Sequence, residues 1–206
     1  MTDVSQLEIS ALSCIRNDRV LFEDLSLSLT AGQMLLVEGP NGSGKTSLLR
    51  ILTGLKLADY GDVLWRGRSI SELAGVYYEQ LNYIGHHDGV KQELTCLENL
   101  QMARAMGIAS SLDLDDILRS VKLYRYGDNP TGSLSAGQKR RLALARLFAT
   151  ESRLWILDEP FTSLDKSSMS EFESRFELFL QDGGIIIMTS HHDHVLAGAD
   201  LQRLQL

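Results

Sequence analysis

Gly39-Pro40-Asn41-Gly42-Ser43-Gly44-Lys45-Thr46 fits the pattern GxxxxGK[ST] and limits what this chain can become. Glycines at these spacings let the backbone curl so that successive N–H groups converge on one anion. The apolar run Leu35-Leu36-Val37 precedes the pattern, and a helix-like stretch, Thr46 to Leu55, follows it. A strand, a glycine-rich turn and a helix in that order form an α/β unit, with the positive end of the helix facing phosphate. In such a loop Lys45 can reach the β- and γ-phosphates of ATP, and the Thr46 hydroxyl can ligate Mg2+. The candidate nucleotide-binding set is therefore Gly39, Pro40, Asn41, Gly42, Ser43, Gly44, Lys45, Thr46 and Ser47.

A phosphate loop alone fits kinases, GTPases and motors equally. Two further segments narrow the choice. Leu154-Trp155-Ile156-Leu157-Asp158-Glu159 reads as a buried strand ending in two acids. At a strand's carboxyl end Asp158 suits Mg2+ organisation, and Glu159 can polarise an attacking water as a general base. Taken alone, the pair would serve equally as an acidic strand cap. Leu134-Ser135-Ala136-Gly137-Gln138 heads a predicted helix, Lys139 to Phe148. A serine and a glycine at a helix start make a second anion-binding N-terminus, or a serine cap without a ligand. Arg140, Arg141 and Arg146 on that helix read equally well as a solvated face.

The 206 residues suffice for one sizeable domain, or a core with an inserted subdomain. Leu7 to Leu29, with the charged turn Arg16-Asn17-Asp18-Arg19, reads as antiparallel strands. Between Leu94 and Ala149, the groups Leu97, Leu100, Met102, Ala103 and Ile117, Leu118, Val121, Leu123 fit helical faces. No strand is evident there, so a mostly helical insertion is expected. The chain then returns to α/β: strand Leu154 to Leu157, a helix from about Lys166 to Leu180, and strand Ile185 to Met188. In that helix Met169, Phe172, Phe176 and Phe179 form a core-facing stripe. A net charge of −7 argues against a nucleic-acid partner, leaving only a local basic patch at Lys139-Arg140-Arg141 open. Cys14 and Cys96 are too few for a disulfide framework and read as buried reduced thiols. Met1-Thr2-Asp3 opens no signal-peptide pattern, and no apolar run approaches the ~18 residues of a membrane span. The expectation is a soluble chain in a reducing cytoplasm, with any membrane role carried by partners.

At these motifs the chain resembles the ABC ATPase family, and the resemblance covers nearly all of it. The Walker A motif of that family is similar to Gly39–Thr46, and its Walker B motif to Leu154–Asp158, with Glu159 as catalytic acid. Its LSGGQ signature is similar to Leu134–Gln138, with Ala136 at a usual glycine. Ser163-Leu164-Asp165 resembles the D-loop, and His191 the switch histidine that contacts the γ-phosphate. The resemblance implies an α/β fold: a P-loop ABC ATPase fold with a RecA-like core, an antiparallel β subdomain and an inserted helical subdomain. It places the core at about 1–90 and 150–206 and the helical part at about 91–149, within a single domain 1–206. Lys45, Glu159 and His191 would be catalytic, with ATP and Mg2+ bound. Two subunits would face each other, so Ser135 and Gly137 would act in trans on the partner's ATP.

Two positions depart from the pattern. Arg16 stands where the family usually stacks an aromatic on adenine; a guanidinium can also stack on a base. His86 stands where the Q-loop glutamine usually touches Mg2+ and the transmembrane partner. A histidine can accept at one ring nitrogen and donate at the other, and it would make coupling pH-sensitive. His191-His192-Asp193-His194 also raises a metal or haem reading, but lacks the i, i+4 helical spacing of such sites.

Gly85-His86-His87-Asp88-Gly89-Val90-Lys91 and Leu97-Glu98-Asn99-Leu100 sharpen the resemblance. With Leu134 to Arg141 and Trp155 to Phe161, they are similar to the ATP-binding subunits of bacterial cytochrome c maturation, or haem export, complexes. That implies integral membrane permease subunits as partners and a peripheral position on the cytoplasmic side of the bacterial inner membrane. It also implies hydrolysis that releases a haem-loaded chaperone on the periplasmic side. Another ABC importer or exporter would share every catalytic motif. Soluble ABC ATPases acting on nucleic acid or ribosomes usually carry two nucleotide domains or a long coiled insertion, and 206 residues leave room for neither. The pentapeptide 134–138 disfavours a small-molecule kinase.

Overall fold

The computed structural model describes residues 6–190 and 199–206. Strands β1 (Leu7–Arg16) and β2 (Arg19–Leu29) form an antiparallel hairpin, with Leu7 opposite Leu29 and Arg16 opposite Arg19. Its two-residue turn, Asn17-Asp18, has φ of 51° and 59°. Both residue types tolerate this left-handed region, and the turn's twist matches that of the strands it joins. Strand β3 (Gln33–Glu38) leads through the glycine loop into helix α1 (Lys45–Leu52). Gly54, at φ 70°, follows α1 and stops the helix short of the predicted Leu55. Strands β4 (Tyr60–Trp65) and β5 (Arg68–Ser69) extend the hairpin into a sheet of order β2-β1-β4-β5. Short helices α2 (Ile70–Leu73) and α3 (Gly75–Glu79) then lead to β6 (Leu81–Ile84).

Helices α4 (Cys96–Met106), α5 (Leu114–Ser120) and α6 (Ala136–Ala149) make up most of the central insertion. A two-residue strand, β7 (Ile108–Ala109), interrupts it and pairs with β8 (Thr150–Glu151), where the sequence suggested no strand. Two residues are too few to show any hydrophobic period. Helix α6 begins three residues before the predicted Lys139, because Ser135 and Gln138 cap it reciprocally. The chain closes with β9 (Leu154–Leu157), α7 (Lys166–Gln181), β10 (Ile185–Thr189) and β11 (Asp200–Gln205).

The second sheet runs β11-β3-β10-β9-β6, with every neighbouring pair parallel. It is covered on both faces, which is why its strands read as unbroken apolar runs. Side-chain alternation divides them between two cores. Leu35, Val37, Leu154, Ile156, Ile185 and Ile187 join α1 and the antiparallel sheet. Met34, Leu36, Trp155, Leu157, Ile186 and Met188 join α4, α5, α6 and α7. Phe172 and Phe176 of the α7 stripe lie in that second core, with Met169 and Phe179 packed against it. Cys14 and Cys96 are buried and free, and burial raises the Cys96 thiol to about 11. No helix of the described residues is long and apolar enough to cross a membrane.

Candidate functional site

Four parallel strands end together. Met188 lies opposite both Leu36 and Leu157, and Leu157 lies opposite Ile84. The residues just beyond β3, β10, β9 and β6 therefore meet at one sheet edge, the usual ligand site of open parallel sheets.

The glycine loop occupies that edge. Gly44 is the N-cap of α1 at φ 115°, with no side-chain cap and no acid in the first turn. A methyl there would lie 3.1 Å from Leu21 Cβ and 3.3 Å from the Phe22 ring, so the β1–β2 hairpin closes over the loop. Lys45 is buried, and its Nζ donates to the carbonyls of Gly39 (2.6 Å) and Pro40 (3.2 Å). An ammonium has three N–H donors, so one remains for a ligand. The Ser43 hydroxyl oxygen is buried and has no hydrogen-bond partner among the described residues. A cavity of about 440 Å³ lies over the loop. Asn41, Gly42, Gly44, Lys45, Thr46 and Ser47 form one wall, and Glu159 reaches it from β9. Arg16, Asn17 and Arg19 of the hairpin turn form the opposite wall. Arg19 was missed in the sequence, although residues paired directly across a two-residue turn share one sheet face.

Asp158 is 3% exposed and stands between two hydroxyls. Thr46 Oγ1 donates to its Oδ2 at 2.8 Å, and Thr189 Oγ1 donates to its Oδ1 at 2.7 Å. The Thr189 oxygen in turn accepts the Glu159 N–H at 2.8 Å. Glu159 has a φ of 48°, an uncommon value for a non-glycine residue and one favoured at functional turns. Thr189 was also missed; its signal was a polar residue closing the buried strand Ile185–Thr189. Burial, and then repulsion from Asp158, raise the pKa of the nearby Tyr83 phenol.

The signature pentapeptide lies elsewhere. Ser135 is exposed; its hydroxyl accepts the Gln138 N–H at 3.3 Å, and Gln138 Oε1 accepts the Ser135 N–H at 2.8 Å. A methyl on Gly137 would lie 2.7 Å from the Ser163 carbonyl oxygen, so only glycine lets α6 approach the 163–165 loop this closely. Neither Ser135 nor Gly137 lines the cavity over the glycine loop.

The arginines of α6 correct the reading as a solvated face. Arg140 is 3% exposed and donates to Pro160, Asp158, Glu159 and Gly85 carbonyls and to Asp88. Arg141 donates to the Val121 carbonyl, and Lys139 to that of Gly132. Of the suggested basic patch, Arg140 is thus spent entirely on internal acceptors, while Lys139 and Arg141 are half-buried with one such bond each. Arg146 donates to the Gly89 carbonyl. His86 is exposed, edge-on to His87 with ring centroids 5.6 Å apart, and does not line the cavity. His191, with His192, Asp193 and His194, lies outside the described residues. Among the described residues no group of three His, Cys, Asp or Glu side chains could hold a metal.

Comparison with known proteins points the same way. The model of the ABC transporter family matches residues 22–162. The cytochrome c biogenesis ATP-binding export protein CcmA of Nitrosospira multiformis is 45% identical, covering 97% of this chain and 98% of that one. The CcmA of Aliivibrio fischeri is 42% identical, again covering 97% and 98%. A solved ATP-binding subunit of an ABC transporter superposes with a TM-score of 0.82 at 25% identity, covering 91% of this chain and 80% of that one. With the glycine loop, the acid-tipped β9 and the capped α6 placed as described, the chain belongs to the ABC transporter family, in its CcmA branch, as an ATP-binding and ATP-hydrolysing subunit.

Proposed function

We propose that this chain drives a bacterial membrane complex for cytochrome c maturation, coupling ATP hydrolysis to haem export or to release of a haem-loaded chaperone. The observation that carries this reading is near-full-length identity above 40% to relatives named for cytochrome c biogenesis and export. The chain would sit on the cytoplasmic side of the inner membrane, held by integral permease subunits. It would act as one domain, 1–206, with its helical part at about 91–149 inserted between core segments 1–90 and 150–206.

The site chemistry supports specific roles. Backbone N–H groups of the loop Gly39–Thr46 and of the α1 first turn, through Ser47, cradle the phosphates; the buried Ser43 hydroxyl and the third Lys45 donor also face phosphate oxygens. Arg16 stacks on the base from the hairpin wall. Thr46 and Asp158 offer hard oxygens 2.8 Å apart, a donor set that suits Mg2+. When bound there, Mg2+ would neutralise charge on the β- and γ-phosphates. His86, exposed on the loop that leaves β6, would take the place of the family's glutamine toward that ion and the permease once that loop meets them. Glu159 accepts the proton of the attacking water, and the family resemblance assigns the γ-phosphate to His191. A second copy supplies Ser135 and Gly137; the Ser135 hydroxyl accepts within its cap and keeps its own proton to donate.

The test is deletion of the gene followed by a haem stain for covalently bound c-type cytochromes. The stain should disappear, return with the wild-type gene, and stay absent with Glu159→Gln. Normal cytochromes in the deletion strain would reject this role and leave another ABC importer or exporter.

A further inference from the structure

Arg140 uses every donor it has. A guanidinium carries five N–H bonds in a rigid fork. Nε donates to the Pro160 carbonyl at 2.8 Å. Nη2 donates to the carbonyls of Asp158 (2.8 Å) and Glu159 (2.7 Å). Nη1 donates to the Gly85 carbonyl and to Asp88 Oδ1, both at 3.1 Å. Three acceptors are consecutive carbonyls of the turn that carries Asp158 and Glu159. At Glu159, where φ is 48°, the backbone needs support from its surroundings, and Arg140 grips the carbonyls on both sides of that residue.

The remaining two bonds reach the segment that leaves β6. Helices α4 and α6 hold that segment at two further points. Arg146 donates to the Gly89 carbonyl at 2.9 Å. The fully buried Asn99 brackets Lys91, accepting its N–H at 2.9 Å and donating to its carbonyl at 3.1 Å. Arg140 is thus the one side chain of this set that also holds the hydrolytic turn, and it does so from the helix that Ser135 caps.

We propose that Arg140 is a positioning residue for hydrolysis: it fixes the turn that presents Glu159 and locks that turn to the 85–91 segment and to the signature helix. Movement of the helical part or of the 85–91 loop is then transmitted to the Glu159 backbone. The inference rests on Glu159 as the general base. Lysine carries a compact charge with three donors and cannot span five acceptors on both segments.

The test uses the full chain with Arg140→Lys, Asp88→Ala and Glu159→Gln. It measures kcat, KM, nucleotide Kd by calorimetry, and amide hydrogen exchange. Arg140→Lys should lower kcat about tenfold or more, as misplaced catalytic groups do, with Kd and KM within about twofold of wild type. Exchange should quicken in the peptide spanning 158–163 and stay unchanged in the glycine loop. Asp88→Ala, which removes one bond of the five, should lower kcat about threefold. Wild-type kcat in Arg140→Lys would overturn the proposal. So would equal losses in kcat and affinity with faster exchange throughout, the signature of a merely structural residue. If Arg140→Lys does not fold, Asp88→Ala decides: unchanged kcat there overturns the proposal. Normal turnover in Glu159→Gln would reject the general-base reading itself, whereas a dead Glu159→Gln beside an unaffected Arg140→Lys would reject this inference alone.

Discussion

Helices α1 and α6 begin with the same physical device and finish it differently. Each carries serine and glycine at its start, and each aims a positive helix end outward. At α1 the N-cap is Gly44, no side chain caps it, the buried Ser43 hydroxyl is unpartnered among the described residues, and a cavity of about 440 Å³ lies in front. At α6 the Ser135 and Gln138 side chains satisfy each other's backbone N–H groups, and the helix start is exposed. Donors left unused at a buried helix start are costly unless a ligand takes them. The α1 end is therefore organised around an anion, and the α6 end is organised for its own stability. What α6 can still offer is a hydroxyl proton and a positive end, neither of which lines its own chain's cavity.

The contrast can be broken at four places, in decreasing order of expected effect. Glu159→Gln, at the acidic edge of the α1 cavity, should lower turnover about a hundredfold or more while calorimetry finds ATP affinity retained. Normal steady-state turnover would remove Glu159 from the chemistry. Lys45→Ala should weaken nucleotide binding by about 1.5–3 kcal/mol, the range for hydrogen bonds to charged groups. Unchanged affinity in the same assay would mean that α1 is not the phosphate site. Thr189→Val leaves both Asp158 Oδ1 and the Glu159 N–H without the hydroxyl that joins them. Urea unfolding should show a loss of about 1–3 kcal/mol, with slower hydrolysis. Ser135→Ala should cost about 1 kcal/mol in the same unfolding assay through loss of the cap. It should not alter nucleotide affinity at protein concentrations where the chain stays monomeric. A drop in affinity there would mean that Ser135 reaches the nucleotide of its own subunit.

The strand, glycine loop and helix at α1 were legible because they are written locally. Glycine spacing, Lys45 and the apolar runs on either side lie within one stretch of chain. The parallel strands were legible as continuous apolar runs for the same reason: both of their faces are buried. Arg140 was not legible. Helix α6 buries Leu142, Ala143, Leu144, Ala145, Leu147, Phe148 and Ala149, so it has little polar face whose period could show which arginine points inward. The partners of Arg140 lie 18 to 55 residues away in sequence, and no local pattern reports them. Strands β6 and β11 were missed for a related reason. Leu81-Asn82-Tyr83-Ile84 and Asp200 to Gln205 are half-buried edge strands with mixed polarity, fixed by pairing with β9 and β3. The trans roles proposed for Ser135 and Gly137 come from resemblance alone, since their own subunit uses them as a cap and as a close contact with Ser163.

If the phosphate loop and the signature helix of one chain are complementary half-sites, each needs a second copy. The direct measurement is sedimentation equilibrium of the full-length Glu159→Gln chain with and without saturating Mg-ATP. A particle of twice the chain mass with ATP, and of the single chain mass without it, is the predicted result. A single chain mass at full ATP occupancy would contradict the two-copy site.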